Sequence, residues 1–123
     1  MIVGIGTDLI AIERIRQAIE RNPKFKHKIY TPAEQAYCEQ AQDPMGRYAA
    51  RFAAKEAVAK ALGTGIGKIG WLDVEITKLA SGAPALQLSG AARQLQHQLG
   101  INHLHLSMSH CQQQAVAYVV LEQ

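Results

Sequence analysis

The chain predicts an α+β domain, an antiparallel sheet set against one long central helix. Three observations carry this. Alternating apolar and polar stretches come late in the chain as neighbours, 72–78 with 84–88 and 103–109 with 115–121, each pair joined by a short link. Such pairing favours antiparallel strands with helices segregated to one side. Residues 47–62 are dominated by Ala, Leu, Lys and Glu, which are good helix formers. Finally, 123 residues that are 48% hydrophobic and 19% charged suit one soluble domain, residues 1–123, with a modest core. The expected order is strand, three helices, two strands, helix, two strands.

The first strand is expected over residues 2–9, β-branched at Ile2, Val3 and Ile5. Gly4 and Gly6 share a side with Asp8, and they leave room for something to approach the backbone. Asp8 reads either as the N-cap of the next helix or as a functional carboxylate. That helix is expected from about Ile10 to Arg21, with Ile12, Ile15 and Ile19 as its buried stripe and Arg14 and Arg21 on another face. Pro23 stops it, and Lys24, Lys26 and Lys28 follow. Residues 13–28 hold six of the 13 Lys and Arg against two Glu, although the net charge is only +3. Such a local excess suits an acidic partner, or is simply a solvated face.

Thr31-Pro32-Ala33-Glu34 is a capping box with Pro at the first helical position, launching a helix to about Gln42. The central helix follows from about Arg47 to Leu62. Phe52, Glu56 and Lys60 share one side of it, Ala54, Ala57 and Ala61 another, and Gly63 stands where a left-handed C-cap belongs. Glu56 and Lys60 read either as an ordinary surface ion pair or as chemistry at a helix fit for burial. Residues 65–70, GIGKIG, satisfy a dinucleotide fingerprint in letters only. They follow a helix and precede a strand, the reverse of what that motif requires.

Leu72, Val74 and Ile76 alternate against Asp73, Glu75 and Thr77 in a strand, Ser81-Gly82 turns, and Pro84 to Leu88 returns. Ser89 is expected to cap a helix from Gly90 to Leu99 that Gly100 stops. His103 to Ser109 and Ala115 to Leu121 close the sheet. His103 and His105 share a strand face at a spacing open to a metal or to no role at all. Cys38 and Cys111 fit neither a disulfide framework nor a metal pattern and are expected to be reduced. No apolar run approaches the ~20 residues of a membrane span, and the opening carries Asp8 rather than a basic leader. A cytoplasmic protein without a membrane or nucleic-acid partner is therefore expected. Its seven aromatics (four Tyr, two Phe, one Trp) form no stacking series of the kind single-strand binders use.

Three blocks carry a resemblance. They are GIGTDLIAI at the start, RFAAKEAVAKALGTGIG in the middle and Ser107-Met108-Ser109-His110 near the end. Together, and in this order, they resemble the holo-acyl-carrier-protein synthases, the short bacterial phosphopantetheinyl transferases. The resemblance spans the chain, and its middle block is specific. It implies a phosphopantetheinyl-transferase-like fold and transfer of 4′-phosphopantetheine from coenzyme A to a serine of apo-acyl-carrier protein in fatty acid biosynthesis, with adenosine 3′,5′-bisphosphate released. It implies that Asp8 and Glu56 bind Mg2+, and that Glu56, or a metal-bound water it orients, is the base. Lys60 would hold the pyrophosphate. Magnesium suits such a pair, since it takes one or two carboxylates and fills its shell with water and substrate phosphate.

The resemblance further implies that Arg51, Lys55, Lys60, Gly63, His110 and Cys111 line the coenzyme pocket, and that Arg14, Arg21 and Lys24 dock the carrier. The assembly implied is a homotrimer with sites between subunits, Asp8, Glu56 and Lys60 from one and His110 from the next. Two positions depart from the family pattern, Ala83 for a usual Lys and Cys111 for Thr or Ser. A non-catalytic basic binding module and a structural subunit are the competing readings. The first explains the basic helix but not Asp8 and Glu56.

Overall fold

In a computed structural model describing all 123 residues, strand β1 runs over Ile2–Ala11. It pairs antiparallel with β5 (Gln114–Glu122), which pairs antiparallel with β4 (His103–His110), giving a sheet of order β1-β5-β4. β1 extends two residues beyond its expected end. Its partner is long enough to keep pairing as far as Ala11 opposite Gln114, and the amide of Ile12 still donates to Gln113 O at 2.9 Å. Helix α1 therefore begins at Ile12 and runs to Arg21, with Ala11 at its N-cap and no side-chain cap. Asp8 lies inside the strand, so the N-cap reading falls. Ile12 and Ile15 are buried and Ile19 is half-buried against the core.

The sequence pattern omits α2, Phe25–Ile29. Five residues are too few to show a helical period, and Lys26, His27 and Lys28 between two apolar ends read as a charged link. α3 spans Pro32–Cys38 and carries the expected capping box: Thr31 Oγ1 accepts from Glu34 N at 3.2 Å, and Glu34 Oε1 accepts from Thr31 N at 2.9 Å. It ends about four residues earlier than expected. The amides of Gln40 and Ala41 bond three residues back rather than four, and Pro44 disfavours helical geometry at Asp43.

Helix α4, Met45–Ala61, lies across one face of the sheet. Ala53, Ala57 and Ala61 are buried, as are Ala115, Ala117, Val119 and Leu121 of β5. Gly63 ends α4 at φ +78°, the expected left-handed cap. Trp71–Asp73 then forms a short 3₁₀ turn, tied by Gly70 N donating to Asp73 Oδ2 at 3.0 Å. Leu72 is thus exposed in a turn, and strand β2 begins at Val74 and ends at Lys78. It pairs with β3 (Pro84–Leu88) in a separate hairpin. α5, Gly90–Gln98, starts with Ser89 at its N-cap position. The hydroxyl makes no capping bond, and Gly100 at φ +67° closes the helix.

The outer face of the large sheet has no covering layer. Cross-strand rows there read Ile5–Val120–His105, Thr7–Tyr118–Ser107 and Leu9–Val116–Ser109. Ile5, Leu9 and Tyr118 are 69%, 61% and 57% exposed. A hollow of about 510 Å³ between Ile5, Lys60, Tyr118 and Val120 interrupts this apolar surface.

Candidate active site

The approach that Gly4 and Gly6 allow is that of α4 itself. A Cβ on Gly4 would overlap the carbonyl oxygen of Ala61, and one on Gly6 that of Ala57. Strand and helix therefore meet backbone to backbone. Asp8 is the next residue on the helix side of β1, and Glu56 and Lys60 flank the contact on α4.

Lys60 Nζ lies 3.1 Å from Asp8 Oδ1 and donates to Thr7 O at 2.9 Å. Its side chain is 52% exposed, that of Asp8 18%. The Glu56 carboxyl is half-buried. Burial raises its pKa above the usual carboxylate value, the negative charge of Asp8 raises it further, and Lys60 offsets part of the effect. Two neighbouring carboxylates, one of them half-buried with its charge disfavoured, beside an open surface, fit a hard divalent cation. Protein oxygens would provide two ligands and leave the remainder to water and phosphate.

Arg51 and His110 lie elsewhere. They border a second hollow of about 320 Å³, together with Tyr37, Arg47, Lys78 and Ser109, which shares no lining residue with the hollow at Lys60. His110 packs on the backbone of Gly46, where a Cβ would come within 2.8 Å of the imidazole. Cys111 follows at the exposed turn. Backbone amides of Gln113 and then Gln114 hold its thiol below the ordinary value. Gly63 stands exposed just beyond α4.

Lys55 departs from its implied pocket position. Its side chain is wholly buried, and Nζ sits 2.8 Å from Glu34 Oε1 while donating to Trp71 O at 3.0 Å and Val74 O at 2.7 Å. Three acceptors occupy all three protons, so the ammonium ties α4 to α3 and β2 with no opening toward a ligand. Burial lowers its pKa, against the pull of Glu34.

Arg14, Arg21 and Lys24 are all exposed, the first two on α1 and the third at the start of α2. His103 and His105 stack at 6.3 Å between ring centres, and His105 Nε2 lies 2.9 Å from Glu122 Oε1, which gives it a hydrogen-bond partner on the next strand. Sequence reasoning missed Tyr37, Arg47 and Lys78. Arg47 precedes Arg51 by one helical turn and was findable on that spacing. Tyr37 and Lys78 arrive from α3 and β2 and left no local signal.

The profile of the 4′-phosphopantetheinyl transferase superfamily matches residues 4–119. A holo-[acyl-carrier-protein] synthase of Moorella thermoacetica is 45% identical over 117 residues, covering 95% of this chain and 91% of that protein. The crystal structure of the Neisseria meningitidis holo-[acyl-carrier-protein] synthase superposes with a TM-score of 0.91 at 38% identity, covering all of both chains. The Helicobacter pylori synthase, solved in complex with coenzyme A, superposes at 0.85 with 35% identity over 96% of this chain and 99% of that one. The chain and its α+β fold thus stand within a class of group-transferring enzymes, the phosphopantetheinyl transferases. Within that class, the chain belongs to the holo-acyl-carrier-protein synthase family.

Proposed function

We propose that the chain transfers the 4′-phosphopantetheine arm of coenzyme A to a serine hydroxyl of apo-acyl-carrier protein, releasing adenosine 3′,5′-bisphosphate, and that it does so with Mg2+ in the cytoplasm in support of fatty acid biosynthesis. The observation that carries this reading is the meeting of Asp8, Glu56 and Lys60 where β1 and α4 touch.

Asp8 and Glu56 would hold the metal, which when bound neutralises charge on the pyrophosphate. Lys60 already lies against Asp8 with half of its side chain in solvent, so it can turn to phosphate oxygens as a mobile point charge. Glu56 accepts the serine proton. A carboxylate within reach of the hydroxyl can act as its general base. Lys60 balances charge on the departing bisphosphate.

Arg51, His110, Gly63 and Cys111 are proposed to contact the coenzyme, and Arg14, Arg21 and Lys24 the acidic carrier. The uncovered apolar sheet face and the separation of Arg51 and His110 from Asp8 support a homotrimer. In that assembly the second hollow of one subunit would complete the carboxylate site of its neighbour. The direct test is to incubate the protein with coenzyme A, Mg2+ and apo-acyl-carrier protein and weigh the carrier. A gain of one phosphopantetheine is expected. An unchanged mass with a carrier that a known synthase modifies would refute the proposal.

A further inference from the structure

One end of the uncovered sheet face gathers side chains that the proposed transfer does not use. His103 and His105 of β4 are two residues apart, so both leave the strand on the same side. Both are exposed, and their ring centres lie 6.3 Å apart with 27° between the planes. Glu122 of β5 stands directly opposite His103 in the register. It reaches diagonally to His105, where its Oε1 meets Nε2 at 2.9 Å. That is the only side-chain hydrogen bond made by any of the five histidines.

The bond decides which nitrogen of His105 is free. The hydrogen bond from His105, ahead of the desolvation that opposes it and of the nearby positive charges, holds the Glu122 carboxyl below the usual carboxylate range. An ionised carboxylate only accepts, so Nε2 carries the proton and the lone pair of the neutral imidazole falls on Nδ1. One nitrogen pinned by a carboxylate and the other turned to an open surface is the arrangement that metal-ligating imidazoles adopt.

We propose that His103 and His105 chelate a transition-metal dication of the Zn2+, Ni2+ or Cu2+ kind, through Nδ1 of His105 and one ring nitrogen of His103, with Glu122 as the positioning residue of His105. Imidazole suits these ions, whereas Mg2+ prefers oxygen. The site is thus separate in place and in chemistry from Asp8 and Glu56. No group of three or more His, Cys, Asp or Glu side chains able to hold a metal forms in the molecule, so the protein supplies two ligands here and water the remainder. Two imidazoles on one tetrahedral ion, each at about 2.0–2.1 Å from it, put their ring centres about 5 Å apart. Rotation of the exposed His103 side chain, which no hydrogen bond restrains, closes the observed 6.3 Å to that separation.

The test titrates the whole chain with Zn2+ alone, in a buffer stripped of other transition metals and with Mg2+ in excess to occupy the carboxylates. Calorimetry should give one Zn2+ per chain. His103→Gln and His105→Gln should each weaken binding by more than about tenfold, and Glu122→Gln by about tenfold, the usual size of losing such an outer partner. Nitrogen-15 spectra of the histidine rings supply a readout that folding alone does not move. Zn2+ should shift Nδ1 of His105 and one nitrogen of His103 together, leave Nε2 of His105 protonated, and leave His27, His97 and His110 unchanged. Absence of binding, an affinity indifferent to His103→Gln and His105→Gln, or shifts that fall on one of the two rings only or on His110 beside Cys111 would each overturn the proposal.

Discussion

Two lysines five residues apart on α4 should fail in opposite ways. Lys55→Met keeps the aliphatic stem and removes a charge with three acceptors at 2.7 to 3.0 Å in a wholly buried setting. Breaking a buried pair typically costs about 3–5 kcal/mol. Glu34 keeps two amide donors, Thr31 N through one oxygen and Ile76 N through the other, each at 2.9 Å. The expected loss is therefore near the lower end, about 3 kcal/mol, a large share of the 5–15 kcal/mol typical of a domain. Adding Glu34→Gln should cost less than the sum of the two single changes, because it removes the stranded charge.

Lys60→Met removes a partly exposed ion pair, of a kind expected to contribute about 1 kcal/mol or less, yet it should cut transfer severely. Urea unfolding followed through Trp71, the only tryptophan, measures the stabilities at a fixed protein concentration, and carrier mass measures transfer. A Lys55→Met protein that unfolds within about 1 kcal/mol of wild type while losing coenzyme affinity would refute the reasoning. It would return Lys55 to the pocket.

Asp8→Ala and Glu56→Ala should each reduce transfer at saturating Mg2+ to near background with melting temperatures held within a few degrees. Near-normal turnover in either removes that residue from the metal site. Refolding Asp8→Ala with His110→Ala chains in equal amounts should restore about a quarter of wild-type activity if sites are shared around a ring. Provided His110→Ala alone is impaired, a mixture no better than the mean of its parents places both residues in one subunit's site. Cys111, exposed and lowered in pKa, keeps its thiolate to lower pH than an ordinary thiol, whereas burial pushes Cys38 up to about 11. Iodoacetamide at mildly alkaline pH should label Cys111 alone, more slowly with coenzyme A bound. Equal labelling of Cys38, or indifference to coenzyme A, counts against that placement.

What could be read early was local chemistry. The Thr31–Glu34 box, the Gly63 cap and the strand alternation at 103–109 and 115–121 each depend on a few neighbouring residues, and each appears as expected. Boundaries set by distant partners could not be read. β1 outruns its pattern because β5, more than a hundred residues on, pairs with it as far as Ala11. The same division holds at the site. Glu56 and Lys60 announce themselves at helical spacing. The burial of Lys55 depends on Glu34 and on two carbonyls 16 and 19 residues away, and no periodicity encodes that. Tyr37 and Lys78 reach one hollow from separate elements, so only the folded chain displays them.

The contact of β1 with α4 through Gly4 and Gly6 has a consequence for how the site could change. Where two elements meet through side chains, a methylene more or less alters their spacing by fractions of an ångström, and selection can adjust a site gradually. Here bare backbone meets bare backbone, and the smallest available step, a single methyl group, already collides with a carbonyl oxygen. The gap between Asp8 and Glu56 therefore has no fine adjustment from that quarter. If the pair holds a cation as proposed, a variant that takes a larger one would have to lengthen or shorten the carboxylate arms themselves, Asp for Glu or the reverse, because the platform that bears them moves only by coming apart.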